Sequence, residues 1–264
     1  MPAEPVDTWD PDRYHRFREQ RARPLRDLLG MLEPRPGGRL LDLGCGSGEL
    51  TVEAATATDV AGAVGVDRSE TMLAAAAELD APGVRFEQGD LAEPRVGSGW
   101  DVVLANASLQ WVSDHPAVLA RWRELLAPGG QLAVQVPANP EHPSHLAITE
   151  VLHSEPFFSL LDGAPPPDPL LSVLPAQRYA ELLWSLGATD QRVRLEIYGM
   201  EMPSVDAVAD WTSGTALNRV RAVLDDEHFG EFERRYRELL RTELHDASPY
   251  FYAFARILMW ARFD

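Results

Sequence analysis

The chain has 264 residues, room for one large α/β domain or two small ones, and its 45% hydrophobic content is that of an ordinary globular protein. A net charge of −17 argues against non-specific binding to nucleic acid or an anionic membrane, and no apolar run approaches the roughly 18 residues of a membrane span. All 24 basic residues are arginine, so no lysine exists to form a Schiff base with pyridoxal phosphate or to reach a nucleotide phosphate from a P-loop.

The opening residues, MPAEPVDTWDPDRYHRF, have no apolar h-region, so no secretory signal is expected. Cys45 is the single cysteine, which fits a reducing cytoplasm. Tyr14, Phe17, Leu25, Leu28, Leu29 and Leu32 recur at helical spacing. Pro24 disfavours helical geometry at Arg23, so two short helices are expected, over about 11–22 and 24–33. Arg13, Arg16, Arg18, Arg21, Arg23 and Arg26 crowd this segment, either as a solvated helix face partly paired with Glu19 and Asp27 or as a wall for an anion. EPRPGG closes it as a loop.

Strands and helices then alternate. GRLLDLG reads as a short buried strand, ELTVEAATAT as a helix and GAVGVD as a second strand. SETMLAAAAELD is a helix with Ser69 at its N-cap, VRFEQGD a third strand and WDVVLANA a fourth. HPAVLARWRELLAPGG is a helix stopped by Pro128 and two glycines, and QLAVQVP is a fifth strand. Repeated strand–helix–strand units imply a parallel sheet covered on both faces. A proline-rich stretch over 138–174 carries one helix around 144–153 and reads as an inserted lid. PAQRYAELLWSLGA is a helix, RVRLEIYGMEMP a strand, and SVDAVADWTSGTAL begins another helix. Phe229, Phe232, Tyr236, Leu239 and Leu240 mark an amphipathic helix near 225–244, with Glu231–Arg235 and Glu233–Arg237 four apart on its wet face. YFYAFARILMWARF ends the chain as a long apolar strand.

The first strand exits into Gly44-x-Gly46-x-Gly48, with Glu49 where a dinucleotide fingerprint has its third glycine. Such an exit also serves as a tight turn packing a helix close to a strand. For a ligand, it offers backbone that can be approached closely at the carboxyl end of a strand. Asp42 just before it suits a cationic or hydroxyl-bearing ligand better than a pyrophosphate. Asp67 ends the second strand, where an acid accepts from both hydroxyls of a ribose or simply caps a helix. Asp90 ends the third, facing an adenine amino group or making a Gly-Asp turn. Asn106 ends the fourth, against the reacting end of the ligand. Three acids and an amide at successive strand ends are more than packing requires.

LLDLGCGSG, GVDRSETML, FEQGDL, WDVVLANA and LLAPGGQLAV, in that order over residues 38–136, resemble the successive motifs of class I S-adenosylmethionine-dependent methyltransferases. The resemblance implies a Rossmann-like α/β fold, a seven-stranded and mostly parallel sheet whose antiparallel last strand is the segment near 250–263. It implies one methyltransferase domain: an N-terminal helical cap (1–36), a cofactor-binding core (37–137), the lid (138–174), and a part completing the sheet and the substrate side (175–264). S-adenosylmethionine is then the cofactor and S-adenosylhomocysteine the product. The implied cofactor residues are Asp42, Gly44, Cys45 and Gly46 after the first strand, and Asp67, Arg68 and Met72 after the second. Asp90 and Leu91 follow the third, and Asn106, Ala107 and Trp111 the fourth. No metal is expected.

A narrower resemblance, to trans-aconitate methyltransferases, is carried by WDPDRYHRFREQRARPLRDLL, NASLQWVSDHPAVLARW, VQVPANPEHPSH, DWTSGTAL and FYAFARILMWAR. It implies that one carboxylate of a small polycarboxylic acid, trans-aconitate, is esterified. A carboxylate is already ionised at pH 7 and needs no general base, so positioning and desolvation are expected to do the work, with no catalytic side chain. The planar fork of arginine suits a polyanion. Trp9, Tyr14, Arg23, His145, Trp211 and Arg219 are the expected substrate residues, although the tryptophans equally suit a core and His145 a capped loop. Where such enzymes carry an Arg-Pro pair after GT-x-L, this chain reads Leu217-Asn218-Arg219-Val220. The expected partner is a small anionic acid, with neither nucleic acid nor membrane, and the expected state a monomer or homodimer. The residues alone leave open another small-molecule acceptor, an acyl-carrier-bound malonyl group, and a non-catalytic cofactor sensor or partner subunit.

Overall fold

The structure is a computed structural model that describes residues 18–264, with side chains from Ala22 onward. It enters on helix α1 (Arg18–Leu29) and then alternates β1 (Arg39–Leu43), α2 (Glu49–Thr58), β2 (Gly62–Asp67), α3 (Glu70–Ala77), β3 (Val84–Gln88), β4 (Trp100–Asn106), α4 (His115–Leu125) and β5 (Leu126–Pro137). Next come α5 (Pro143–Leu152), α6 (Phe157–Leu160), α7 (Ala176–Ser185) and β6 (Asp190–Met202). The chain closes with α8 (Val205–Ser213), α9 (Asn218–Arg221), α10 (Asp226–Glu243) and β7 (Tyr250–Phe263).

The strands form one seven-stranded sheet in the order β3-β2-β1-β4-β5-β7-β6. The pairs among β1 to β5 are parallel, and β7 runs antiparallel to β5, from Gly130 opposite Phe263 to Pro137 opposite Arg256. This is the mostly parallel sheet with an antiparallel last strand that the family resemblance implies. Leu40, Leu41 and Leu43 of β1 and Val102, Val103 and Leu104 of β4 are all fully buried, as central strands covered on both faces must be. The helix starts follow the sequence. Ser69 Oγ accepts the Met72 N–H at 3.1 Å to open α3, and Asp114 Oδ1 accepts the Ala117 N–H at 3.1 Å to open α4.

The chain divides into two compact units. One takes Arg18–Ala138, Ser172–Ile197 and Ala255–Asp264. Its core packs Leu41, Val64, Val103 and Val134 of the sheet with Leu119 and Trp122 of α4 and Leu183 of α7. The other takes Asn139–Leu171 and Tyr198–Phe254. There α10 buries Phe229, Phe232, Tyr236 and Leu240 and pairs Glu231–Arg235 at 2.6 Å and Glu233–Arg237 at 2.8 Å on its wet face. Tyr236 shares a 2.9 Å hydrogen bond with Thr212 and donates to the Ser144 carbonyl at 3.1 Å, which fastens α10 to α8 and α5.

Two expectations are corrected. The sequence predicts a break at Pro24, yet α1 runs through it. Pro24 is buried beside Ala22, Leu25 and Leu28, and packing that apolar stripe offsets the one hydrogen bond its missing N–H forfeits. The fifth strand begins at Leu126 rather than at Gln131. Trp100 pairs with Leu126 ahead of a register shift, so the Pro-Gly-Gly turn is absorbed into the strand as an irregularity, with Gly129 at φ +75°.

Candidate active site

Gly44, Gly46 and Gly48 follow β1 with φ of +84°, +56° and +83°. A Cβ on Gly44 would stand 2.3 Å from Ser108 Cβ, and one on Gly48 2.5 Å from the Phe86 ring. The protein's own packing therefore demands those two glycines. Gly46 differs, since among the described residues a Cβ there would meet nothing within 4 Å, which leaves its backbone open on that side. The loop is braced from β2: Asp67 Oδ2 accepts the Gly46 N–H at 2.8 Å, and Oδ1 accepts the Ser69 N–H at 2.9 Å.

Asp42 lies one residue before the end of β1, 3% exposed, and accepts a 2.6 Å hydrogen bond from Thr51 Oγ1. Burial pushes its carboxyl up to about 7; the Thr51 bond opposes the shift and the nearby Asp67 adds to it. A cation beside such an acid would favour its ionised form. Burial first, and then Asp42 and Asp67, push the Cys45 thiol far up, so it stays a protonated, unreactive group. Met72 is buried on α3 and Arg68 exposed before it. Asp90 is exposed after β3, its Oδ1 accepting the Ala92 N–H at 2.8 Å in a turn, and the Leu91 carbonyl accepts the Trp122 indole N–H at 2.8 Å.

The end of β4 is held in an unusual conformation. Ala107 has φ +55°, uncommon for a residue with a Cβ. Its N–H reaches the Gln135 carbonyl at 2.9 Å, and its own carbonyl takes the Gln110 amide at 2.7 Å. Ser108 Oγ donates to the Leu43 carbonyl at 2.6 Å, tying this turn to the glycine loop, and Trp111 ends the short 3-10 helix Leu109–Trp111. Asn106 Oδ1 is buried and has no hydrogen-bond partner among the described residues. A buried polar atom left unpaired costs about 1–3 kcal/mol, and this one stands at the carboxyl end of a central strand.

The expected substrate residues are distributed differently. Trp9 and Tyr14 lie outside the described residues. Arg23 is exposed on α1. Trp211 is buried, with its ring 5.4 Å from Phe254 and 6.2 Å from Tyr252. His145 and Arg219 come together at Asp168, at 3.7 and 3.6 Å. Arg219 also donates to the Pro166 carbonyl at 2.8 Å and to Thr149 Oγ1 at 3.2 Å. Burial pushes the Asp168 carboxyl up, but His145 and Arg219 outweigh it and hold the group below the usual carboxylate range. His145 Nδ1, the atom that faces Asp168, and Arg219 Nε are buried without hydrogen-bond partners among the described residues. Sequence reasoning missed Asp168, whose signal is one acid within the run APPPDPLL, and Gln135, whose signal is an amide inside the buried strand QLAVQVP.

Residues 14–193 match the family described as "Methyltransferase domain". The trans-aconitate 2-methyltransferase of Deinococcus radiodurans is 41% identical over 261 residues, which span 96% of this chain and 98% of that protein. The chain belongs to the trans-aconitate 2-methyltransferase family. It is an S-adenosylmethionine-dependent methyltransferase. Two solved structures share the methyltransferase's fold. The YcgJ protein of Bacillus subtilis aligns with TM-score 0.59 at 17% identity, over 91% of this chain and 98% of that one. Phosphoethanolamine N-methyltransferase 2 of Haemonchus contortus, in complex with S-adenosyl-L-methionine, aligns with TM-score 0.52 at 19% identity, over 91% of this chain and 52% of that one. Among the described residues, no helix of the methyltransferase is long and apolar enough to cross a membrane.

Proposed function

We propose that this methyltransferase esterifies one carboxylate of a small polycarboxylic acid, trans-aconitate. The observation that carries the reading is the 41% identity, over nearly the whole of both chains, with a trans-aconitate 2-methyltransferase. The cofactor supplies an electrophilic methyl carbon on a sulfonium cation. The residues at the strand ends fit it: a buried acid for a cation, bare backbone at Gly46 for close approach, and an orphaned amide oxygen on Asn106 for an ammonium group. On this reading Asp42 ionises against the cationic half of the cofactor. Asp67 takes the ribose hydroxyls while still bracing Gly46, and Asp90 with Leu91 meets the adenine. Arg68, Met72, Cys45, Ala107 and Trp111 line the remainder.

The acceptor carboxylate is an anion at pH 7, so no proton has to be moved. The chain's work is to strip water from that anion and hold it in line. Cys45, kept protonated, does not compete as a nucleophile. On this reading Trp9, Tyr14, Arg23, His145, Trp211 and Arg219 are the residues for the acid, with the guanidinium of Arg219 suited to a carboxylate. The net charge of −17 disfavours nucleic acid as a partner. Initial rates on trans-aconitate, cis-aconitate, citrate and a monocarboxylic acid test the reading. The highest kcat/KM is expected for trans-aconitate. Cofactor binding with no preference among the acids, or no turnover of any, would overturn the acceptor and leave the methyltransferase assignment standing.

A further inference from the structure

The two glutamines of β5 lie four residues apart on one face of the strand, and their surroundings differ. Gln131 is paired at both its oxygen and its nitrogen: Oε1 accepts the Glu33 N–H at 2.8 Å and the Trp260 indole N–H at 2.9 Å, and Nε2 donates to the Glu33 carbonyl at 2.9 Å. Gln135 is 1% exposed, and its Nε2 has no acceptor among the described residues. An amide that only filled the core would look like Gln131; a buried donor without an acceptor calls for a ligand.

The strand register places Gln135 in a polar row. Asp42 pairs with Leu104 across β1 and β4, and Asn106, two residues beyond Leu104, pairs with Gln135. Pro137, two residues beyond Gln135, pairs with Arg256 of β7. Side chains alternate along a strand, so Asp42, Asn106, Gln135 and Arg256 share one face of the sheet. The strand order β1-β4-β5-β7 arranges them with an acid at one end, two amides between and a guanidinium at the other. Three strand spacings of about 4.8 Å across the sheet and four residues of about 3.3 Å along it set the backbones of the acid and the arginine roughly 20 Å apart.

That row is electrically asymmetric, and so is the reaction. A cation is favoured beside Asp42, whereas an anion is favoured beside the Gln135 donor and Arg256. β5 and β7 also lie on the side of β4 away from the glycine loop and Asp67, hence away from the residues assigned to the nucleoside. We propose that Gln135 Nε2 and the Arg256 guanidinium form a subsite for a carboxylate of the methyl acceptor, with Asn106 between it and the cofactor. The inference rests on the reading of the acceptor as a polycarboxylic acid. A guanidinium fork and an amide N–H together satisfy the two oxygens of one planar carboxylate, and the half-buried position of Arg256 reduces the solvent screening of that pairing.

The test compares Gln135→Leu, Arg256→Gln and Arg256→Lys with the unaltered enzyme, by steady-state kinetics on trans-aconitate and by calorimetry with S-adenosylhomocysteine. In Gln135→Leu and Arg256→Gln the KM for the acid should rise about tenfold or more, with Arg256→Lys intermediate. The S-adenosylhomocysteine Kd should stay within about twofold of the unaltered value in all three, because the subsite lies off the cofactor side. An unchanged KM, or a cofactor Kd that rises in step with KM, overturns the subsite. Should Gln135→Leu fail to fold, Gln135→Glu keeps the shape, sets a like charge against the acid and reads the same quantity. If the unaltered enzyme esterifies none of the acids, the acceptor reading falls by itself. Calorimetric titration of trans-aconitate into the S-adenosylhomocysteine complex then decides the subsite: binding lost in Arg256→Gln supports it, and no binding, or binding kept, overturns it.

Discussion

Thr51 donates a 2.6 Å hydrogen bond to the carboxylate of Asp42, yet burial still holds that group up to about 7. Because the folded value stands above the ordinary 3.8, this group's contribution to stability is fully present below about pH 4 and is lost as pH rises through about 7. The ligand-free enzyme should therefore lose stability from Asp42 as pH rises from about 4 to about 7, with no further loss above that. A cationic cofactor favours the ionised acid, so its affinity should rise over the same interval, by at most about tenfold per unit below the midpoint. Calorimetry with S-adenosylmethionine at pH 6 and pH 8 reads this directly, and Asp42→Asn should flatten the profile. A flat profile in the unaltered enzyme would mean that Asp42 does not meet the cation.

Asp67 is expected to serve both the loop and the ligand. Its two oxygens hold the Gly46 and Ser69 N–H groups, so Asp67→Ala frees two backbone donors. Hydrogen bonds to a charged acceptor are worth roughly 1.5–3 kcal/mol, so the cofactor Kd should rise at least about tenfold and the melting temperature should fall with it. A lowered melting temperature with unchanged Kd would reduce Asp67 to a loop brace.

The loop glycines should separate folding from binding. Gly44→Ala drives a Cβ to 2.3 Å from Ser108 Cβ and should destabilise the enzyme by about 2 kcal/mol or more. Gly46→Ala meets no atom of the described residues within 4 Å and carries the penalty of its positive φ, about 1 kcal/mol. It should stay folded and lose cofactor affinity. Thermal melts with and without S-adenosylhomocysteine distinguish the two; equal behaviour would remove the special status of Gly46.

Much of this was legible in the sequence, for physical reasons that differ by element. β1, β2 and β4 are short apolar runs bounded by turn chemistry, and α10 shows both its apolar stripe and its ion pairs in the bare pattern. The acids at strand ends stand out because a polar residue there interrupts an apolar run. Pro24 misled because local backbone preference was overruled by burial of its helix face, which no local rule contains. Gln135 and Asp168 were illegible for a related reason. The role of Gln135 depends on the register that sets it beside Asn106, and that of Asp168 on a meeting with residues 23 and 51 positions away in sequence, His145 and Arg219.

The Asp168–Arg219 pair should behave as a buried ion pair, with side chains 9% and 6% exposed. Removing one partner strands the other, so Arg219→Gln should cost roughly 3–5 kcal/mol of stability. Asp168 is held below its ordinary 3.8, so its contribution is present above about pH 4 and is lost as pH falls further. Chemical denaturation at pH 7 and pH 3 checks both statements. A loss in Arg219→Gln that is the same at the two pH values would contradict the pairing.

The most direct measurement is product identification. The purified enzyme is incubated with S-adenosylmethionine and trans-aconitate, and the mixture is analysed by mass spectrometry for a trans-aconitate monomethyl ester and S-adenosylhomocysteine. The account predicts that both form in equal amounts, and that neither forms when the acid is omitted. S-adenosylhomocysteine binding without any methyl ester, under conditions where the cofactor stays intact, would contradict it.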